Sequence, residues 1–298
     1  MPAILGAGTP RGCRTDARDA VALPQYDAVT VTATNHSGHA LVTGASSGIG
    51  VAIAREYARR GVPLVLTARR VERLEALAAE LRQQVPVEVI AADLSDPSAP
   101  AQLVEQIHGR GLAVRILVNN AGYGVAGRYH RSDWRTHVDF LQVMVGAVSE
   151  LTWRLLPEIR AHGAGRILNV SSVAALIPGP DGQTLYAPVK AFMVRFTESL
   201  AIENADAGVH ATALCPGFTR TEFHDVVGSR AMMNRLPGWV WLSAEEVARA
   251  GIEAAERGRV LVVPGLFYKL VCLLPRLLPH AWVLALMRRN SRKFRQAD

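Results

Sequence analysis

Short apolar runs alternate with longer amphipathic stretches along most of this chain. Five of the runs have the length of buried strands, namely His39–Thr43, 63–67, 87–91, 114–118 and Arg166–Val170. Stretches with helical periodicity, such as 51–60 and 71–84, separate them, and the alternation continues to Val263. The pattern predicts one doubly wound α/β domain of the Rossmann type, a parallel sheet of about seven strands with helices on both faces.

The chain divides into three segments that differ in composition. Residues 1–38 are rich in Ala, Gly, Thr and Arg, have no sustained apolar period, and carry Asp16 and Asp19 among the arginines. We interpret them as a mobile leader, since signal peptides and transit peptides have a different composition. Residues 39–264 are the predicted dinucleotide-binding catalytic domain. Residues 265–298 are an extension that is first apolar and then basic.

The first predicted strand runs directly into a glycine-rich turn that opens a helix. Glycine lets a ligand approach the backbone closely, and the first turn of a helix offers free N–H groups to a pyrophosphate. We therefore predict that this turn binds the phosphates of a dinucleotide. The turn residues assigned to cofactor binding are Gly44, Ser46, Ser47, Gly48, Ile49 and Gly50.

Two arginines, Arg69 and Arg70, follow the second predicted strand. A fold that prefers NAD usually places an acidic residue there, to bind the ribose 2′-hydroxyl. Positive charge at the start of the next helix opposes its dipole, so a bound anion would explain the pair. We predict NADP(H) as the cofactor and NAD(H) as the less favoured one. The alternative is that both arginines are ordinary surface residues.

Small polar residues follow the third, fourth and fifth predicted strands. They belong to the segments Asp93-Leu94, Asn119-Asn120-Ala121-Gly122 and Ser171-Ser172. Because open parallel sheets bind ligands at the carboxyl ends of their strands, these segments predict one continuous site along that edge.

Tyr186 and Lys190 are four residues apart, and on a helix they would lie side by side. A neighbouring cation lowers the pKa of a phenol, which would make Tyr186 a proton donor in the working range. Pro188 lies between them and is tolerated if the helix begins near Leu185, because a first turn does not need that N–H. The alternative is a common pair on a solvated helix face.

Taken together, these motifs resemble the short-chain dehydrogenase/reductase family. The matching segments are Thr43-Gly44-x-x-x-Gly48-Ile49-Gly50, Asn119-Asn120-Ala121-Gly122, Ser172, Tyr186-x-x-x-Lys190 and Cys215-Pro216-Gly217. They occur in the family's order over about residues 39–264. The resemblance implies a homodimer or homotetramer and an NAD(P)-dependent oxidoreductase.

The resemblance also implies a role for each matching residue. Tyr186 would exchange a proton with the substrate oxygen, Lys190 would lower the tyrosine pKa and hold the nicotinamide ribose, and Ser172 would stabilise charge on the substrate oxygen. Asp93 and Leu94 would meet the adenine. The implied cofactor-binding residues outside the glycine turn are Arg69, Arg70, Asp93, Leu94, Asn120, Ala121, Gly122, Tyr186, Lys190, Pro216, Gly217, Thr219 and Thr221.

One position departs from the family pattern. Where the family usually has an asparagine in the helix after the Asn-Asn-Ala-Gly segment, this chain has Met144. The resemblance implies that the asparagine side chain supports a proton relay, which methionine would slow. Two interpretations remain open, a working reductase and a catalytically weak NADPH-binding sensor.

Charge and cysteine content argue against several other classes of protein. The formal net charge is +7, and much of it lies at the end of the chain, without the basic and aromatic pattern of a nucleic-acid-binding module. The three cysteines, Cys13, Cys215 and Cys272, are far apart. They predict neither a metal site nor a disulfide framework, and they suit the cytoplasm.

Apolar residues in the second half predict the substrate class. Phe223, Met232, Met233, Trp239 and Trp241 would cover the substrate, and further apolar wall would come from Tyr123, Val125 and residues 173–177. We predict a carbonyl reductase, or the reverse alcohol dehydrogenase, acting on a lipophilic ketone such as a 3-oxoacyl thioester. The alternative substrate is a steroid or another hydrophobic ketone.

The C-terminal extension predicts two short amphipathic helices. Residues 266–287 are apolar over about the length of a membrane span, but Lys269, Arg276 and two prolines, Pro275 and Pro279, argue against a spanning helix. One interpretation is a peripheral membrane contact through residues 266–295. The other is that the helices close the substrate pocket or form a subunit contact.

Overall fold

A computed structural model describes residues 38–125, 127–179, 182–222 and 237–291. Over these residues the strands form a single seven-stranded parallel sheet in the order β3-β2-β1-β4-β5-β6-β7. This confirms the predicted Rossmann-type α/β fold. The strands are β1 (His39–Thr43), β2 (Leu64–Thr67), β3 (Val87–Val89), β4 (Val114–Asn119), β5 (Arg166–Val170), β6 (His210–Leu214) and β7 (Leu261–Val262).

Helices occupy the connections between the strands. They are α1 (Gly48–Arg59), α2 (Val71–Leu81), α3 (Ala99–Gly109), α4 (Trp134–Leu141), α5 (Ala147–Ala161), α6 (Tyr186–Glu203), α7 (Ala244–Glu256), α8 (Leu266–Leu273) and α9 (His280–Ser291). The first helix begins inside the glycine turn rather than at residue 51, and the predicted second helix ends at Leu81 rather than at 84. The third strand ends at Val89, two residues before the predicted end.

The sheet is covered on both faces, which explains why its strands are continuous apolar runs. All residues of β2, β4 and β5 are buried, as expected for a parallel sheet between two layers of helices. Val42 packs in one core with Ile53 of α1, while its neighbour Leu41 packs in the other with Leu103 of α3. Successive residues of β1 therefore contribute to opposite cores.

The strand order reverses next to β1, and this places the predicted site. From β1 the chain adds β2 and β3 on one side and then β4 to β7 on the other. Parallel sheets bind ligands at such a switch point, outside the carboxyl ends of the strands. The glycine turn after β1 and the Asn-Asn-Ala-Gly segment after β4 are thus neighbours.

A π-helical turn over Gln142–Gly146 joins α4 to α5. The backbone N–H of Ala147 donates to the carbonyl of Gln142, five residues earlier. Such turns are rare and frequently lie at functional sites. The apolar periodicity of this region predicts only a continuous helix, because it does not distinguish the two hydrogen-bond patterns.

The end of the chain has the predicted break. A 3₁₀ turn over Leu274–Leu277 separates α8 from α9, and Pro275 lies within it. No helix among the described residues is long and apolar enough to cross a membrane. The predicted leader lies outside the described residues except for Gly38, and the domain boundaries at 38/39 and 264/265 stay predictions.

Candidate active site

The glycine turn is joined to β4 by hydrogen bonds from Thr43 and Asn120. The Thr43 hydroxyl accepts the backbone N–H groups of Asn120 and Ala121 at 2.9 and 3.0 Å. The amide of Asn120 donates to the carbonyls of Thr43 and Gly44 at 2.8 and 3.2 Å. A Cβ on Gly50 would lie 2.6 Å from that amide nitrogen. Only glycine fits there, and the turn has the close packing that a dinucleotide phosphate site requires.

Arg70 reaches the glycine turn. Its Nε donates to the hydroxyl of Ser46 at 3.3 Å, and its Nη1 forms an ion pair with Glu222 at 3.1 Å. Arg73 binds the same carboxylate at 2.7 Å, and the two arginines hold the pKa of Glu222 below its usual range. Glu222 was not predicted from the sequence, because no local pattern indicates that a residue 152 positions away in the sequence pairs with Arg70.

A chain of hydrogen-bonded, buried polar side chains lies at the centre of the site. It was not predicted from the sequence. Asn119 at the end of β4 donates to Asn169 of β5 at 2.8 Å, and Asn169 donates to Thr197 of α6 at 2.8 Å. All three side chains are buried. These hydrogen bonds join β4, β5 and α6, so this chain helps to set the position of α6 against the sheet. An asparagine within a buried strand was the available signal.

Ser172, Tyr186 and Lys190 come together at the end of β5. The hydroxyl of Ser172 forms a hydrogen bond with Tyr186 and accepts the N–H of Ala174 at 3.1 Å. The Nζ of Lys190 lies 5.8 Å from the centre of the Tyr186 ring and donates to the carbonyl of Val170 at 2.7 Å. The helix begins at Tyr186, so Pro188 lies in its first turn as predicted.

Burial dominates the pKa of Tyr186 in this structure, so the predicted shift of that pKa down into the working range is not seen. Burial raises the pKa of Tyr186 to about 12, and the hydrogen bond from Ser172 only partly opposes that rise. Burial also lowers the pKa of Lys190 to about 8. A low-dielectric surrounding disfavours the charged form of both groups. The phenol therefore keeps its proton at neutral pH.

The loop after β6 lies across the site from Ser172. The carbonyl of Pro216 accepts the N–H of Val173 at 3.0 Å, and the hydroxyl of Thr219 donates to the carbonyl of Gly217 at 3.0 Å. Thr221 contacts the turn at Gly48, where an added Cβ would lie 3.0 Å from its side chain. The predicted loop residues are thus close to both the serine and the glycine turn.

Asp93 and Leu94, which are predicted to meet the adenine, follow β3 in the chain. The carboxylate of Asp93 accepts the N–H and the hydroxyl of Ser95 at 3.1 and 2.8 Å, which closes a local turn. Leu94 is buried against the core beneath the site. The carboxylate of Asp93 therefore already shapes its own loop.

A small cleft opens beside Tyr186. Val125 and Leu185 line it together with Tyr129, His137 and Phe140. Tyr123 does not line this cleft but packs edge-on against Phe140, with ring centres 5.6 Å apart. The predicted covering residues Phe223, Met232 and Met233 lie outside the described residues.

His137 is a polar residue of the cleft that was not predicted from the sequence. Its Nε2 lies 2.9 Å from the carbonyl of Tyr129, so Nε2 carries the proton and Nδ1 is an acceptor. Nδ1 is buried and has no hydrogen-bond partner. A buried unpaired acceptor is costly, and the His137 side chain lies in the wall of the cleft.

Met144 lies in the π-helical turn and is buried. Its sulfur lies 2.7 Å from the point that a Cβ on Gly122 would occupy. The thioether therefore packs directly on the Asn-Asn-Ala-Gly segment, and it offers no strong hydrogen-bond donor there.

Comparison with known proteins agrees with this geometry. A family model for short chain dehydrogenase matches residues 38–231. Sulfoacetaldehyde reductase from Chromohalobacter salexigens is 40% identical over 215 residues, which are 70% of this chain and 83% of that protein.

Solved structures extend the match to most of the chain. A short-chain dehydrogenase from Sphingobium yanoikuyae in complex with NADPH has a TM-score of 0.71 and 31% identity, covering 88% of this chain and 97% of that one. A bulky-bulky ketone specific alcohol dehydrogenase from Comamonas testosteroni has a TM-score of 0.67 and 28% identity over the same shares. The chain therefore belongs to the short-chain dehydrogenase family, and it is an oxidoreductase that uses a nicotinamide dinucleotide.

Proposed function

We propose that this protein is an NADPH-dependent carbonyl reductase in which Ser172, Tyr186 and Lys190 are the catalytic residues. The observation that carries the proposal is the hydrogen bond between Ser172 and Tyr186, with the Lys190 ammonium beside the tyrosine ring. This arrangement lies between the glycine turn and the small cleft beside Tyr186.

The residues divide the proton chemistry among them. A bound NADPH supplies the hydride. Tyr186 holds a proton throughout the neutral range, because burial raises its pKa to about 12, and it donates that proton as charge develops on the substrate oxygen. Ser172 donates a hydrogen bond to the same oxygen. Lys190 stabilises the phenolate that remains, since a cation near the ring favours the charged form.

Two features support NADPH over NADH. Arg70 lies at Ser46 of the glycine turn, where the adenosine ribose would meet the protein, and it presents a guanidinium to a 2′-phosphate. The Sphingobium relative of 31% identity was solved with NADPH. Glu222 already pairs with Arg70, so phosphate binding competes with this carboxylate or shares the guanidinium with it.

We infer a lipophilic ketone as substrate, with a 3-oxoacyl thioester favoured and a steroid as the alternative. Apolar side chains, Val125, Phe140 and Leu185, make up much of the cleft wall. The relative from Comamonas testosteroni is described as specific for bulky ketones. Sulfoacetaldehyde reductase marks the competing possibility, a small polar aldehyde.

The test is NADPH oxidation, followed at the nicotinamide absorbance, with a panel of carbonyl compounds. The panel contains 3-oxoacyl thioesters, steroid ketones, quinones, small aldehydes and sulfoacetaldehyde, and each is assayed again with NADH. We expect turnover with the lipophilic ketones and a preference for NADPH. Turnover with the polar aldehydes alone would contradict the substrate class. Tight NADPH binding without any turnover would support the sensor.

Replacing Met144 with asparagine tests whether this position limits the rate. The new amide would lie against Gly122, where the family's side-chain donor is expected, so we predict a rise in kcat of about two- to tenfold. A buried amide without partners would cost about 1–3 kcal/mol of stability. The measurement is kcat with the best panel substrate, alongside urea unfolding.

Met144→Leu is the matched control, since it stays apolar and fills a similar volume. It should leave kcat unchanged. An equal rise in both variants would indicate altered packing rather than a new donor. No rise with asparagine would show that the proton relay works without this side chain.

A further inference from the structure

The C-terminal segment 266–291 carries an exposed apolar surface that the reductase chemistry does not use. Ten large apolar side chains between residues 266 and 286 are exposed, among them Leu266 at 73%, Leu277 at 71% and Trp282 at 67%. The rest of the described chain exposes seven. A concentration of exposed apolar side chains in one short segment is typical of an interaction site.

Only a few residues attach this segment to the body of the protein. Tyr268 and Cys272, four residues apart on α8, are buried, and so is Val283 on α9. The hydroxyl of Tyr268 donates to the carbonyl of Val240 at 2.7 Å and accepts the N–H of Phe218 at 2.9 Å. The helices are thus fixed by one side while their leucines point outward, so they do not bury their apolar faces against the sheet.

The charge of this end identifies the partner. From residue 266 to the end there are seven basic residues and a single acidic one, Asp298. This end therefore carries a formal charge of +6 out of the chain's +7. In a symmetric dimer the same surface faces itself, which would bring two such charges together. An anionic bilayer instead accepts both the leucines and the cations.

We propose that segment 266–291 docks the enzyme on the surface of anionic lipid bilayers. The apolar side chains of α8 and α9 enter the interface, and Lys269, Arg288 and Arg289 contact the lipid phosphates. The helices lie in the plane of the interface, in keeping with the absence of a spanning helix in the described part of the chain.

The position of Tyr268 connects the docking surface to the catalytic site. Its ring lies directly over Gly217, and its hydroxyl holds the backbone of Phe218. That loop leads to Thr219, one of the predicted cofactor-binding residues. Docking would therefore bring the site close to the bilayer, a consequence that rests on the proposed function and suits a substrate dissolved in lipid.

Vesicle co-sedimentation of the full-length protein tests the proposal without any use of activity. The vesicles contain phosphatidylcholine alone or with about one third phosphatidylglycerol. We expect binding to the anionic vesicles, weaker binding to the neutral ones, and a loss of binding at high salt. The double variant Leu277→Glu/Trp282→Glu should reduce the bound fraction by about tenfold or more.

A matched control carries two substitutions to glutamate at exposed apolar residues of α5 and α6, outside the C-terminal segment. Trp153 and Ile202 are exposed at 70% and 82%, so Trp153→Glu/Ile202→Glu should bind vesicles as the wild type does. A second variant, Arg288→Gln/Arg289→Gln, should lose the preference for anionic lipid while it keeps its fold by circular dichroism.

Three results would overturn the proposal. The wild type could remain in the supernatant with every vesicle, or the Leu277→Glu/Trp282→Glu variant could sediment as the wild type does. Light scattering could also show a dimer that this variant dissociates, with no vesicle binding, in which case a second copy covers the surface. Failure of NADPH oxidation would leave all of these readouts unaffected, so the two proposals fail separately.

Discussion

Replacing Tyr186 with phenylalanine is expected to reduce kcat for carbonyl reduction by about a thousandfold, within the usual range for a lost general acid. The phenylalanine ring fills the same space, so α6 and the cleft wall are kept and NADPH still binds. The substitution removes the phenol hydroxyl, which is the proposed proton donor and interacts with Ser172. Single-turnover NADPH oxidation measures the rate of the chemical step, and fluorescence titration measures the affinity for NADPH.

The raised pKa of Tyr186 adds a dependence on pH that can be checked. A group whose folded-state pKa is about 12 keeps its proton at all lower pH values. The ratio of the wild-type rate to the variant rate should therefore stay constant from about pH 5 to about pH 7, where Lys190, with a pKa of about 8, also keeps its charge. A ratio that falls with rising pH in this window would show that the phenol ionises there, as the sequence-based reading of Tyr186 and Lys190 predicts.

Tyr129→Phe is the matched control for this substitution. Tyr129 lines the same cleft and loses the same atom, but it has no contact with Ser172 or Lys190 among the interactions of the described residues. We expect its kcat to change by less than about threefold. A comparable loss in both variants would mean that the cleft, rather than the proton donor, controls the rate.

Replacing Arg70 with alanine should remove the preference for NADPH. A hydrogen bond to a charged group contributes about 1.5–3 kcal/mol, so kcat/KM for NADPH should fall by about 10- to 150-fold. The value for NADH should change little, because its 2′-hydroxyl carries no charge. The two cofactors are compared at one fixed substrate concentration, with the fold checked by thermal unfolding.

Arg73→Ala separates phosphate binding from the ion pair with Glu222. Arg73 binds the same carboxylate at 2.7 Å but makes none of the contacts with Ser46 that Arg70 makes. It should keep the preference for NADPH. If Arg70→Ala affects both cofactors equally, or if Arg73→Ala has the same effect, the 2′-phosphate site lies elsewhere.

Much of the fold could be predicted from local patterns. Continuous apolar runs predict buried parallel strands, and all five runs named from the sequence are strands of the sheet. The glycine turn and the position of Pro188 in a first helical turn follow from backbone sterics, which act over a few residues. The largest errors are at element ends, where one further hydrogen bond decides the boundary.

Features that depend on distant residues could not be predicted in this way. The ion pair of Arg70 joins residues 152 positions apart, and the network of Asn119, Asn169 and Thr197 crosses two strands and a helix. The sequence indicates no role for His137, and only packing showed that it lines the cleft.

The sequence by itself determined the order of strands and helices, and it predicted the dinucleotide turn and the catalytic residues, because periodicity, turn sterics and residue type are local. Only the tertiary structure decided their environment. Burial raised the pKa of Tyr186, whereas the sequence predicted a lowered pKa. Likewise, the apolar period of α8 and α9 did not show which face would be covered, since coverage depends on what the rest of the fold places against Tyr268 and Cys272.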